Sequence, residues 1–256
     1  MQEDLNKVTR LNTPEILNSV IRSLRNENLP DNPACLDIGS GNGELIQLLR
    51  REFRAETKAC DFTDALMRVE DQKVEKVDLN RDTLPYADEC FDVITITEVV
   101  EHIENFRAIF REIYRCLKRE GVIVVTTPNI LNLKSRVRFL FFGFWNLFGP
   151  LHLNDSRKYS AGGHVSPISP FYILHSLAET GFKNIRYDID KRQNSSLVLY
   201  YLLILKIKIY GRLAMHREKH RYHTVDDANE WMVECLNSKT ILTGRTLVVS
   251  AKKGGR

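Results

Sequence analysis

Short apolar runs alternate with amphipathic stretches along most of the chain. Runs of five to seven apolar and β-branched residues are typical of buried strands, and apolar residues at spacings of three and four between them indicate helices. The first five predicted strands are residues 34–38, 57–61, 74–78, 91–97 and 121–127. This alternation predicts an α/β fold in which parallel strands are connected by crossover helices.

Helix start and stop signals agree with this pattern. Thr13, Pro14 and Glu15 form a helix start in which Thr13 is expected to cap a helix that runs to about residue 26. Further helices are predicted over residues 43–53, over 105–119 and from Ser169 to Thr180. Strands at 183–188 and 245–252 bring the predicted sheet to seven, and the 256 residues are expected to form a single domain.

Charge and cysteine content refine this picture. The net charge is only +4, but residues 191–222 hold eight Lys or Arg against one acid, which predicts contact with an anionic partner such as a membrane surface. The five cysteines are widely spread, as is typical of reduced thiols in a cytoplasmic protein. Residues 1–15 contain no apolar run, so no secretory signal is predicted, and no run is long enough to span a bilayer.

The turn after the first predicted strand, in ACLDIGSGNGELIQLL, carries the first chemical signal. Its glycines are Gly39, Gly41 and Gly43, and Glu44 occupies the third glycine position of a dinucleotide-binding fingerprint. Asp37 precedes the turn, and a carboxylate would repel a pyrophosphate at this position. The turn therefore favours a cationic ligand, and S-adenosylmethionine carries both a sulfonium and an ammonium group.

From this turn onwards the sequence resembles the class I S-adenosylmethionine-dependent methyltransferases. The residues DIGSGNG resemble the first motif of that family, and Asp61 matches the acid that binds the ribose hydroxyls. FDVITITEVVEHIEN resembles the fourth-strand motif of the quinone-biosynthesis subgroup, with Glu98, Glu101 and His102 in place. The resemblance implies a Rossmann-like fold with a seven-stranded, mostly parallel sheet, methyl transfer and S-adenosylmethionine as cofactor.

The same resemblance implies a cofactor site at the ends of the first four strands, and no metal site is predicted. The expected cofactor-binding residues are Asp37, Gly39, Ser40, Gly41, Asn42, Gly43, Asp61, Phe62, Asp78, Leu79, Asn80, Thr97 and Glu98.

A methyl acceptor with a hydroxyl group also needs a base, and histidine is the usual choice near neutral pH. His102 follows the fourth strand and His164 precedes a predicted helix, so both are candidate catalytic residues; a structural hydrogen bond is the alternative for each. Glu101 and Glu104 are also explained as acids that favour a helix amino terminus. The sequence offers no partner for His152 or His175, and places the remaining histidines, His216, His220 and His223, at the surface.

Two hydrophobic insertions, residues 129–167 and 190–243, interrupt the strand and helix pattern. The first has six aromatic residues between Phe139 and Phe148, and a helix apolar on all sides is normally buried. We expect it to form a lid over the acceptor or to contact a membrane; a dimer or core helix is the alternative. In the second, nine apolar residues at 197–205 fit either a membrane-interfacial segment or a buried helix with a basic flank.

The insertions also resemble those of methyltransferases in bacterial polysaccharide and glycolipid synthesis. This second resemblance implies O-methylation of a sugar or glycolipid hydroxyl, with the enzyme cytoplasmic or peripheral at the cytoplasmic membrane. The first alternative is methylation of a quinone or another lipophilic small molecule, and the second is a non-catalytic binding module that keeps the cofactor fold. A homodimer is compatible with the sequence, and the fourth-strand motif does not favour nucleic acid as acceptor.

Overall fold

A computed structural model describes residues 12–151 and 163–255, and seven strands form one mixed sheet in it. The strand order is β3-β2-β1-β4-β5-β7-β6, with β7 antiparallel to both of its neighbours. The predicted α/β, Rossmann-like fold is confirmed. The strands are β1 (Ala34–Ile38), β2 (Glu56–Asp61), β3 (Val74–Lys76), β4 (Phe91–Thr97), β5 (Leu117–Pro128), β6 (Phe182–Ile189) and β7 (Thr246–Lys253).

Helices cover both faces of the sheet, and each face has its own apolar core. Leu17, Leu24 and Leu49 lie in the core on one face, and Phe110 and Leu174 lie in the core on the other. The inner strands are buried on both sides, which explains their continuous apolar runs. The helices are α1 (Pro14–Arg25), α2 (Glu44–Phe53), α3 (Phe106–Cys116), α4 (Leu133–Phe142), α5 (Pro170–Thr180), α6 (Asn194–Arg217), α7 (Glu230–Cys235) and α8 (Lys239–Thr243).

Three local predictions need correction. Thr13 occupies the cap position of α1, but its hydroxyl accepts a hydrogen bond from Arg245 Nη2 at 2.6 Å and none from the helix amides. The helix predicted to reach residue 119 ends at Cys116, because Leu117 is already extended and pairs with Phe91 in the sheet. Strand β3 stops at Lys76, two residues before its predicted end.

The aromatic insertion is not one helix that is buried on all sides. Helix α4 ends at Gly143, whose φ of +76° is the left-handed conformation common after a helix. Leu140 and Phe141 are 75% and 81% exposed, whereas Phe148 is buried. The alternative of a core helix is therefore wrong for α4, and the lid, membrane and dimer interpretations of this insertion stay predictions.

The second insertion forms the 24-residue helix α6, in which Ser196 is the single buried residue. The alternative of a buried helix is therefore wrong. Among the described residues, we find no helix with the length and apolar character needed to cross a membrane. The predictions for residues 1–11 and for His152 lie outside the described residues.

Candidate active site

The candidate site lies where the strand order reverses. Strands β1 and β4 are parallel neighbours, and the chain leaves β1 towards β2 on one side and returns to β4 on the other. Open α/β sheets bind their ligands at such a point, beyond the carboxyl ends of the strands. The glycine-rich turn follows β1, and the segment that carries His102 follows β4.

The glycine-rich turn uses its amides within the protein. The amides of Gly39 and Ser40 donate to the carbonyl of Cys60, and the amide of Gly41 donates to Asp61 Oδ2 at 2.9 Å. These amides are therefore not aimed at a phosphate, which agrees with the rejection of a dinucleotide site. The turn also packs closely against the segment after β4, because a Cβ added to Gly39 would lie 2.2 Å from Val99 Cγ2.

Two carboxylates flank this turn. Asp37 is buried at the end of β1, and its Oδ1 accepts a hydrogen bond from Thr95 Oγ1 at 2.7 Å. Burial raises the pKa of Asp37 to about 7, and the neighbouring Asp61 adds to the shift. Burial also raises the pKa of Asp61, although hydrogen bonds from the Gly41 and Thr63 amides oppose it. A cation or a pair of hydroxyl donors would relieve this desolvation, which is what a sulfonium cofactor with a ribose supplies.

The cofactor-binding residues predicted after β2 and β3 lie on two turns at this edge. Phe62 follows β2 and is 48% exposed. Asp78 lies beyond β3 and accepts a hydrogen bond from the Asn80 amide, while Leu79 packs against the core. Asn80 Oδ1 accepts from the Glu104 amide at 2.8 Å, which ties this turn to the segment after β4.

Several buried polar atoms at the site have no partner in the described structure. Ser40 Oγ and Thr97 Oγ1 are both buried without a hydrogen bond. Glu98 has a positive φ of 53°, and its carboxylate accepts from Thr126 Oγ1 at 3.1 Å. Burial raises the pKa of Glu98 to about 7. Unpartnered buried polar groups are costly and are typical of a site that a ligand completes. Asn42 accepts from the Glu44 amide and so closes the turn.

Glu101 is the functional candidate that the site prediction omitted. It is completely buried, with Oε2 accepting from Thr127 Oγ1 at 3.1 Å and Oε1 unpartnered. Burial and then the negative charge of Glu98 raise the pKa of Glu101 well above its ordinary value. An acid that only favours a helix dipole would be solvated, so that explanation does not suffice for Glu101. Glu104 is exposed and precedes α3, where Asn105 provides the cap.

The two candidate catalytic histidines are in contact. The His102 and His164 rings meet edge to face with centroids 4.8 Å apart. Nδ1 of His102 lies 3.1 Å from the Gly163 carbonyl, and Nδ1 of His164 lies 2.9 Å from the Leu147 carbonyl. A carbonyl can only accept, so each Nδ1 carries the hydrogen and each neutral ring has its basic nitrogen at Nε2. Burial lowers the pKa of His164, and the charge of His102 lowers it further.

The aromatic insertion reaches this pair through one residue. The Phe148 ring lies 5.2 Å from the His164 ring, and the Leu147 carbonyl orients the same histidine. The backbone amides of Val165 and Ser166 donate to the Glu101 carbonyl, so the carboxyl-terminal end of the insertion is fastened to the turn after β4. Of the predicted lid, the part next to the candidate base is therefore Phe148.

The same side chains could also hold a cation. One ligand atom each from Glu101, His102 and His164 lie within 4.8 Å of one another. One carboxylate and two imidazoles suit several divalent ions. The sequence predicts no metal site. Cation binding by Glu101, His102 and His164 would contradict that prediction, and chelation of the protein tests it.

Comparison with known proteins supports the fold and the enzyme class. A family model described as a methyltransferase domain matches residues 12–187, more than half of the chain. The chain belongs to this methyltransferase family. The predicted enzyme class is thereby confirmed at the level of the family, together with S-adenosylmethionine as its methyl donor.

Named relatives of this methyltransferase are distant. A demethylmenaquinone methyltransferase of Bacillus licheniformis is 27% identical over an alignment of 176 residues, with coverage of 62% of this chain and 75% of that protein. The Thermotoga maritima demethylmenaquinone methyltransferase is 24% identical over 158 residues, 58% of this chain and 69% of its own. These relatives match the quinone alternative of the sequence analysis better than sugar O-methylation.

Solved structures show the same fold. The S-adenosylmethionine-dependent methyltransferase of Archaeoglobus fulgidus has a TM-score of 0.59 at 18% identity and covers 99% of this chain and 100% of its own. The Haemonchus contortus phosphoethanolamine N-methyltransferase 2, solved with S-adenosylmethionine, has a TM-score of 0.53 at 18% identity and covers 93% of this chain and 53% of its own. At this identity the likeness establishes the fold.

Proposed function

We propose that this methyltransferase transfers the methyl group of S-adenosylmethionine to a lipophilic small molecule that carries an acidic ring hydroxyl, of the quinol type. The observation that carries the proposal is the contact between His102, His164 and Phe148, which sets two oriented imidazoles beside an aromatic ring. The menaquinone-pathway relatives support the same acceptor class.

The cofactor-binding part of the proposal rests on the two carboxylates at the glycine-rich turn. Asp61 would accept hydrogen bonds from both ribose hydroxyls, which a carboxylate can do because it has two oxygens. The negative charge of Asp37 would favour the cationic end of the cofactor. S-adenosylmethionine supplies an activated methyl group, so the protein has to orient the acceptor and exclude water.

The proton of the acceptor is the remaining chemical problem. For methylation on oxygen, the hydroxyl proton would pass to a histidine Nε2 as the oxygen attacks the methyl carbon, and the bond between sulfur and methyl would break to leave S-adenosylhomocysteine. For methylation on a ring carbon that the deprotonated ring makes nucleophilic, the same bond would break, and that carbon would then lose its own proton while the ring oxygen regains one, which restores the aromatic ring. Alternatively, a divalent cation held by Glu101, His102 and His164 would lower the pKa of the hydroxyl. Both routes use the same histidines, and they differ in their response to chelation.

The other acceptors have less support. The sugar or glycolipid hydroxyl that the sequence analysis placed first needs the same base, but the reported quinone relatives favour its alternative. A non-catalytic module is disfavoured because the chain belongs to an enzyme family and carries acids at 37 and 61.

An acceptor comparison tests the proposal. The protein is incubated with radiolabelled S-adenosylmethionine and either a reduced, prenylated naphthoquinone or a panel of nucleotide sugars and lipid-linked sugars. We expect label in the quinol. Transfer to a sugar with none to the quinol would restore the glycolipid hypothesis.

A further inference from the structure

Exposed apolar side chains are concentrated in two segments. In the described part of the chain, 18 large apolar side chains are exposed, and 13 of them lie in residues 139–147 or in α6. Exposed apolar surface concentrated in this way marks an interaction site. Neither the glycine-rich turn nor the histidine pair explains the exposure of these side chains.

Helix α6 is apolar on two opposite sides. Val198, Leu202, Leu205, Ile209 and Leu213 are all exposed and recur at spacings of three and four residues, so they form one stripe along the helix. Leu202 and Leu205 are each 71% exposed. The opposite side contacts α4 and α8, which accounts for the packing of α6 but not for the stripe.

Basic residues flank the stripe on both sides. At about 100° per residue, Lys206 lies on one side of it and Lys208 and Arg212 lie on the other. All three are exposed, and among the described residues none of them forms an ion pair. Lys191 and Lys219, in contrast, pair with Glu15 and Glu230. Three basic side chains beside the stripe are therefore available to an anionic surface.

Helix α4 begins beside α6 and adds exposed rings. The Ser196 hydroxyl accepts from the Lys134 amide at 3.2 Å, so the two helices start at one junction. Arg136 fixes α4 to the protein by donating to the carbonyls of Leu131 and Leu236. The end of α4 carries Phe141, which is 81% exposed. A helix anchored at its base with exposed aromatic residues at its tip suits insertion among lipid headgroups.

We propose that the exposed faces of α4 and α6 dock this protein on an anionic lipid membrane. The charge pattern decides between a membrane and a second copy of the chain. Neither helix contains an acidic residue, so a two-fold contact through the stripe would bring basic residues of one copy near basic residues of the other, with no acidic residue of either helix to pair with them. Anionic headgroups complement these cations, and the stripe then lies at the boundary of the acyl chains.

This inference goes beyond methyl transfer and is tested without an acceptor or a methyl donor. Purified protein is sedimented with vesicles of phosphatidylcholine alone or with 30% phosphatidylglycerol. We expect binding to the anionic vesicles that is at least tenfold tighter than to the neutral ones and that weakens with added salt.

Two sets of variants assign the binding to the stripe. Lys206→Glu, Lys208→Glu and Arg212→Glu together should weaken binding by more than tenfold, since each basic residue contributes roughly a fivefold change in affinity. The matched control reverses three exposed basic residues elsewhere, Arg111, Arg119 and Lys183, to the same net charge. Leu202→Ser with Leu205→Ser should also weaken binding.

All of these positions are exposed, so unchanged melting temperatures are expected and confirm folding. Equal binding by the stripe and control charge variants would overturn the proposal. So would a concentration-dependent dimer, seen by light scattering without lipid, that Leu202→Ser with Leu205→Ser dissociates.

Discussion

His102 and His164 are 62 positions apart in the sequence, and their rings meet with centroids 4.8 Å apart. Each ring donates from Nδ1 to a backbone carbonyl, so the fold selects the same tautomer for both. The carbonyls belong to residues 147 and 163, which lie on either side of residues 152–162 of the first insertion. The insertion therefore positions the candidate base as well as adding apolar surface.

If the two histidines take part in catalysis, substitution of either one should lower the rate of methyl transfer. His102→Gln and His164→Gln should each lower kcat by roughly a hundredfold or more, the usual contribution of acid-base catalysis. S-adenosylmethionine affinity should stay within about twofold, because neither ring is expected to bind the cofactor. His216→Gln, at the exposed end of α6, is the control and should leave kcat unchanged. Full activity in both variants would contradict a catalytic role for His102 and His164 and would favour the alternative of a structural hydrogen bond.

Chelation then separates the two routes for the proton. If the rings accept the proton themselves, dialysis against a chelator leaves kcat unchanged. If Glu101, His102 and His164 hold a cation, chelation abolishes activity, and a divalent ion restores it in the wild type but not in Glu101→Gln.

Asp61 is predicted to dominate cofactor affinity. Asp61→Asn removes the charge that strengthens two ribose hydrogen bonds, so the Kd for S-adenosylmethionine should rise by roughly 10- to 100-fold. Asp64→Asn is the matched control, because Asp64 is exposed and pairs with Lys76 at 2.9 Å. Isothermal titration calorimetry measures both. Similar affinities for the two variants would contradict the assigned role of Asp61.

Asp37 predicts how the stability of the cofactor-free protein depends on pH. Its pKa is raised from an ordinary value of 3.8 to about 7 in the folded state, so between these values the folded state binds more protons than the unfolded state. Its contribution to the free energy of unfolding therefore falls by about 1.4 kcal/mol per pH unit over this window and is constant above it. In urea titrations at pH 5, 6, 7 and 8, Asp37→Asn should reduce the measured slope by this amount, and the raised pKa values of Glu98 and Asp61 contribute to the slope that remains. An unchanged slope would mean that Asp37 does not titrate in this range.

Phe148 and Phe141 belong to the same aromatic run, but we expect their substitution by leucine to affect methyl transfer differently. Phe148→Leu keeps an apolar side chain and removes the ring contact with His164, so the KM for the acceptor should rise severalfold. Phe141→Leu changes a side chain that is 81% exposed and should leave KM and kcat unchanged. The comparison uses steady-state methyl transfer at saturating S-adenosylmethionine. If both variants behave alike, Phe148 has no special role at the site.

The strands and the glycine-rich turn could be predicted because residues that are adjacent in the sequence determine them. The apolar run of β1, the acid at 37 and the three glycines are contiguous, so their arrangement follows from the sequence. The contact between Phe148 and His164 and the burial of Glu101 depend on how distant segments pack, which periodicity does not specify. For the same reason, apolar content alone left a lid, a membrane contact, a dimer helix and a core helix open for α4, and only the packing shows that its aromatic rings are exposed.

The most direct test of the proposed function is methyl transfer to a reduced, prenylated naphthoquinone, measured with radiolabelled S-adenosylmethionine in wild type and in His102→Gln. We expect labelled quinol with the wild type and at least a hundredfold slower labelling with the variant. Absence of label in the quinol, under conditions where the protein binds S-adenosylmethionine and methylates another acceptor, would contradict it.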